Sequence, residues 1–143
     1  MSSLLSMTDD GLTWQLVYTK RHAETWVDAN LRKQGFETLM PLTRIRSGLS
    51  PLFPRYVFAG CGASQRAASL GGTYGVQYIV CCGQKPSIVP PELIAELRAR
   101  MDDRGIVPVE RLAEVDPLFA RRQRERIHAL ERLSAAGFKV RIA

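Results

Sequence analysis

Residues that do chemistry are scarce in this 143-residue chain. It holds two histidines, His22 and His128, and three cysteines, Cys61, Cys81 and Cys82. There is no CxxC pair, no Cys/His cluster and no HExxH, so neither a zinc site nor a metalloprotease is indicated. No GxGxxG or Walker loop cradles a phosphate, and no G-x-S-x-G elbow presents a serine. Neither histidine is framed by a carboxylate, and a Cys81/His22 nucleophile pair would lack a third, orienting group. Cys81 and Cys82 are neighbours that a strand would point to opposite faces, which argues against joint ligation of one metal. The cysteines are expected to be reduced and to pack as small apolar residues in a cytoplasmic protein. No stretch approaches the roughly 18 apolar residues of a membrane-spanning helix. Residues 1–10 carry no basic segment ahead of an apolar one and read as a flexible leader, not a signal peptide. The expectation is no enzyme, no metal or cofactor, no small-molecule substrate and no membrane.

What is present is ordinary globular composition, 45% hydrophobic and 24% charged, with a net charge of +6. The surplus is uneven. Residues 1–116 hold thirteen Lys/Arg against twelve Asp/Glu, and residues 117–143 hold seven against two. A basic chain invites a nucleic-acid reading, but here the charge alone licenses it only for the tail.

Periodicity and punctuation set out the elements. Gly11 to Tyr18 is aromatic and β-branched and reads as a strand. Ala23, Trp26, Val27, Leu31 and Gln34 then recur at three- and four-residue steps, predicting an amphipathic helix stopped by Gly35. A second strand over 36–40 ends at Pro41, and 43–50 reads as a turn or hairpin tip. Pro51 to Pro54 stiffens the entry to a strand at Tyr56–Ala59. A short helix or loop over 63–70 precedes Gly71-Gly72. The near-continuous apolar run Val76–Cys82 reads as a central strand buried on both faces. Pro90-Pro91 opens a helix with Leu93, Ile94, Leu97 and Met101 on one face. This order predicts an α+β domain over 11–104, an antiparallel sheet of about four strands flanked by helices. A linker over 105–116 leads to a basic helical tail over 117–143. There Asp116-Pro117 is a start signal, Phe119, Ile127, Leu130 and Leu133 share a face, and Arg121, Arg122, Arg124 and Arg126 cluster. Gly137 stops the helix, and 138–142 alternates like a last short strand.

Several blocks along this frame carry a family resemblance. Trp14, Tyr18-Thr19-Lys20, Glu24 and Leu31…Gln34-Gly35-Phe36-Glu37 before Pro41 form the first. Pro51-Leu52-Phe53-Pro54-Arg55-Tyr56-Val57-Phe58 forms the second. Thr73-Tyr74-Gly75-Val76, then Val80…Gly83…Pro86…Val89-Pro90 and the Ile94/Leu97 helix, form the third. In this order they resemble the N-terminal domain of the NusG/RfaH family of transcription elongation and antitermination factors. The resemblance implies a monomeric protein that binds the clamp helices of the largest RNA polymerase subunit and the nearby non-template DNA strand. Tyr18, Phe53, Pro54, Tyr56, Phe58, Ile94 and Leu97 would line the hydrophobic depression for the clamp helices. Lys20, Arg21, Asn30, Lys33, Thr73 and Tyr74 would face the DNA, with Tyr74 stacking on a base.

Three departures from the family pattern stand out. Where specialised members carry a polar gate motif, this chain has Arg66, Ala67 and Ala68, leaving Arg66 as the gate contact. The segment between Pro41 and Pro51 is short, so the hairpin arm is stubby. The usual C-terminal KOW barrel cannot close from the residues after the linker, and this KOW remnant is expected to be helical. Whether Phe119, Ile127, Leu130 and Leu133 pack on Tyr56 and Leu97, masking the depression, is the question the sequence leaves open. The competing reading is a generic basic nucleic-acid-binding module acting through the arginine-rich tail.

Overall fold

The computed structural model describes Thr8, residues 10–109 and residues 116–138. The interior of the expected linker, most of the leader and all of the expected last strand after Phe138 lie outside these residues.

The chain alternates strands and helices. β1 (Thr13–Thr19) leads to α1 (Glu24–Lys33) and β2 (Glu37–Leu39). The hairpin β3 (Leu42–Ile45) and β4 (Gly48–Pro51) follows, then β5 (Tyr56–Cys61), the single turn α2 (Ala68–Gly71) and β6 (Val76–Ile79). A second small hairpin, β7 (Cys81–Cys82) and β8 (Lys85–Pro86), precedes α3 (Pro91–Arg100). A 3-10 turn (Pro117–Phe119) and α4 (Gln123–Ala135) complete the described chain. Four strands form one sheet in the order β2-β5-β1-β6, every neighbouring pair antiparallel. This is the expected α+β architecture.

Strand alternation divides the core in two. Trp14, Leu16, Tyr56 and Phe58 face one side, with Leu93, Ile94 and Leu97 of α3. Val17, Val57, Ala59 and Val76 face the other, under Val27 and Leu31 of α1 and Leu70 of α2. The end of β5 is packed so closely that a Cβ on Gly60 would sit 2.9 Å from the Trp14 ring.

The apolar run 76–82 departs from expectation. It forms the edge strand β6, breaks at Val80 and resumes as β7, and Tyr78 is 49% exposed. Its apolar residues serve both cores, Val76 and Ile79 the one and Val80 the other, while Tyr78 stacks on Tyr18 with ring centroids 4.8 Å apart; among the described residues no strand pairs with its outer edge. The two adjacent cysteines accordingly leave the core. Cys81 is exposed and Cys82 half-buried, while Cys61 is buried. The expected tip over 43–50 is a paired hairpin whose register puts Arg44 opposite Leu49.

Candidate functional site: two aromatic surfaces

The first surface gathers the residues expected to receive the polymerase. Phe53, Tyr56, Phe58, Ile94 and Leu97 are buried in one cluster, and Tyr18, half-buried, packs against it. Pro54 is half-buried beside them. Tyr18 meets Tyr56 at 5.1 Å and Phe53 meets Phe58 edge-on at 6.2 Å. Leu118, Phe119, Leu130 and Phe138 from the tail are buried in the same cluster, with Ile127 and Leu133 packed against it. The expected depression is therefore filled by the tail. Its expected apolar face is split, since Phe119 lies in the 3-10 turn and the rest in or after α4. Asp116 does act as a cap, accepting from the Leu118 amide through its side chain.

Polar contacts fasten this cover. The Tyr56 hydroxyl donates to the Glu131 carboxylate at 2.9 Å. Burial, and then this carboxylate, hold the Tyr56 hydroxyl well above the ordinary tyrosine range. At the far end of α4, Ser87 donates to the Ser134 carbonyl at 2.8 Å and Cys82 to the Ala135 carbonyl at 3.3 Å, tying the last turn of the helix to the body. Arg126, only 2% exposed, donates to the carbonyls of Leu52, Ala120 and Arg121 at 3.0, 2.8 and 2.8 Å. Burial lowers its pKa, yet a guanidinium stays charged in proteins. Of the four clustered arginines, then, Arg121, Arg122 and Arg124 are exposed and Arg126 is structural.

The second surface lies where β1, α1 and β6 meet. Lys20, Arg21 and Lys33 are exposed, and Asn30 is half-buried. Tyr74 is 75% exposed, with the Lys20 ammonium 5.8 Å from its ring centroid. Asn30 donates to the Tyr74 carbonyl at 3.4 Å. Thr73 is buried, and its hydroxyl accepts from Gln34 and donates to the Ser69 carbonyl, both at 2.8 Å, so it braces the loop rather than facing outward. Trp26 joins this face. It is 57% exposed and meets Tyr74 edge-on at 6.1 Å. Sequence reasoning placed Trp26 in the buried stripe of α1, but Ala23, Val27 and Leu31, at four-residue steps, fill that stripe and leave Trp26 on its margin. Gly75, at φ +94°, lets the chain turn against α1, where a Cβ would lie 2.8 Å from Val27. Arg66 is exposed in the loop before α2 and joins neither surface.

The family model described as transcription termination factor nusG matches residues 12–98. The chain belongs to the NusG family. No curated protein matches it. NusG-family proteins are non-enzymatic transcription factors, and membership implies interaction with RNA polymerase. The matched span includes the sheet, α1 and most of α3, and stops short of the tail that packs on the first surface. Among the described residues no group of three or more His, Cys, Asp or Glu is placed to hold a metal, and no helix is long and apolar enough to cross a membrane.

Proposed function

We propose that this NusG-family chain is an elongation and antitermination factor. It seats the Phe53/Tyr56/Leu97 surface on the polymerase clamp helices and touches non-template DNA through Lys20, Arg21, Asn30, Lys33 and the Tyr74 loop. In the free protein α4 covers that seat. An aromatic and aliphatic surface with rigid walls suits a helical partner, and a few such anchors carry most of the affinity in interfaces of this kind. The observation that carries the reading is that one helix already occupies the surface, with Leu130 buried against it and Glu131 bound to the Tyr56 hydroxyl. A surface that accepts one amphipathic helix has the shape and chemistry to accept another, and the two exclude each other.

The test is binding to purified polymerase. Leu130→Asp, which puts a charge into the cover, is expected to tighten binding about tenfold by releasing α4. Adding Tyr56→Ala to that variant is expected to remove the gain. Binding that ignores both changes would sink the assignment.

A further inference from the structure

Arg55 stands between Pro54 and β5 in a conformation that favours glycine, at φ +75°. Bulky residues held there are strained, and such strain clusters at functional sites. The backbone is held from both sides: the Arg55 amide donates to the Glu24 carboxylate at 2.9 Å, and the Arg55 carbonyl accepts from the Thr19 amide at 2.8 Å. The side chain is held as well. Its guanidinium lies over the Tyr18 ring, 4.4 Å from the centroid. Nε donates to the Thr19 carbonyl at 3.1 Å and Nη2 to the Gln77 side-chain carbonyl at 2.9 Å. Nη1 takes part in neither bond. The result is a fixed cation with a donor edge to spare.

Its surroundings are suited to an anion. Thr19 separates Arg55 from Lys20, whose amide donates to the Gly75 carbonyl and whose ammonium sits over Tyr74. Two carboxylates here accept hydrogen bonds, Glu24 from the Arg55 amide and Glu131 from the Tyr56 hydroxyl. On the other side, Tyr18 stacks on the exposed ring of Tyr78. Lys20 against Tyr74, and Arg55 against Tyr18 with Tyr78 stacked beyond it, thus place two cations beside exposed rings at this end of the sheet.

We infer that Arg55 is a phosphate-binding residue that extends the proposed nucleic-acid face to Tyr78 and suits it to a single strand. A planar guanidinium matches a phosphodiester in geometry as well as charge. Open ring faces stack on unpaired bases, which a duplex keeps inside. The inference rests on the nucleic-acid part of the proposed function.

The experiment measures binding of the full-length protein to a labelled single-stranded oligodeoxynucleotide, and to its duplex, across a salt series. Arg55→Gly suits the backbone, so its melting temperature is expected to stay within about 4 °C of the parent. Its affinity for the single strand is expected to fall about tenfold, and its salt slope to flatten by about 0.7. Arg55→Lys restores the charge but not the fork, and is expected to recover the slope more fully than the affinity. If Lys20→Ala and Tyr74→Ala weaken binding while Arg55→Gly does not, Arg55 is scaffold and the inference falls while the face stands. Equal affinity for the duplex overturns the single-strand assignment. A parent protein that binds neither oligonucleotide overturns the inference together with the nucleic-acid reading. A large drop in the melting temperature of Arg55→Gly marks a structural role and overturns it too.

Discussion

The two faces of the sheet are closed by different parts of the chain. Under α1 and α2, Val17, Val57, Val27, Leu31 and Leu70 come from within residues 12–98, the span that defines the family. Opposite, Trp14, Tyr56, Phe58 and Leu97 are covered partly by α3 and partly by residues 117–138, beyond that span. The first face has helices tied to the sheet by short connections and sealed by apolar contact. The second is finished by the tail, which buries Leu118, Phe119, Leu130 and Phe138 and adds polar contacts at its edges: Glu131 on Tyr56, Arg126 on Leu52, Ser134 under Ser87. Apolar packing is non-directional and scales with area, whereas a hydrogen bond adds only about 1 kcal/mol net. On the proposed function, the contrast is between a permanent face and a detachable one.

That contrast can be broken most forcefully on the permanent side. Leu31→Ala opens a cavity beneath α1 and is expected to cost about 2–5 kcal/mol of global stability in urea unfolding. A loss under about 1 kcal/mol would mean that this face is as loose as the other.

On the detachable side, Arg126→Ala leaves three carbonyls without their donor. It is expected to lower the protection of α4 amides from hydrogen exchange by about 2 kcal/mol, with the amides of β1 and β5 unchanged. Removing a buried cation without a carboxylate partner works in the opposite sense, so unchanged or increased α4 protection would show that desolvation outweighs the three bonds.

The smallest effect sharpens the comparison at a single bond. Tyr56→Phe is expected to cost about 1 kcal/mol and to change the alkaline behaviour. In the unfolded chain a tyrosine ionises near pH 10, and in the folded protein Tyr56 holds its proton to higher pH. Its contribution is thus complete below about pH 10 and is lost as the pH rises further, because the unfolded state then binds fewer protons. Denaturation curves collected on either side of about pH 10 should show a steeper alkaline decline for the parent than for Tyr56→Phe.

Most element positions were legible. Gly35 and Pro41 punctuate α1 and β2, Pro91 opens α3, and Asp116-Pro117 starts the tail, each through a local backbone preference that needs no distant partner. The misreadings are those where burial was inferred from hydrophobicity. Tyr78 and Cys81 sit in an apolar run yet lie at an edge, and Trp26 fits the helical stripe yet points to solvent. Arg126 misleads in the other direction: it belongs to a basic cluster and is buried. The polar face shows the same division. Lys20, Asn30 and Tyr74 meet, while Thr73 turns inward to Gln34 and Ser69.

By itself the sequence determined the strand and helix order, the family and the absence of recognisable catalytic motifs, because these follow from local periodicity, turn residues and short motifs. Only the tertiary structure decided which aromatic residues are covered. Tyr56 and Glu131 are 75 positions apart, and Arg126 and Leu52 are 74 apart. Exposure depends on what packs on a residue from elsewhere in the chain, and no local pattern carries that information. Tyr56 thus lies against α4, while Trp26 and Tyr74 stay open to solvent.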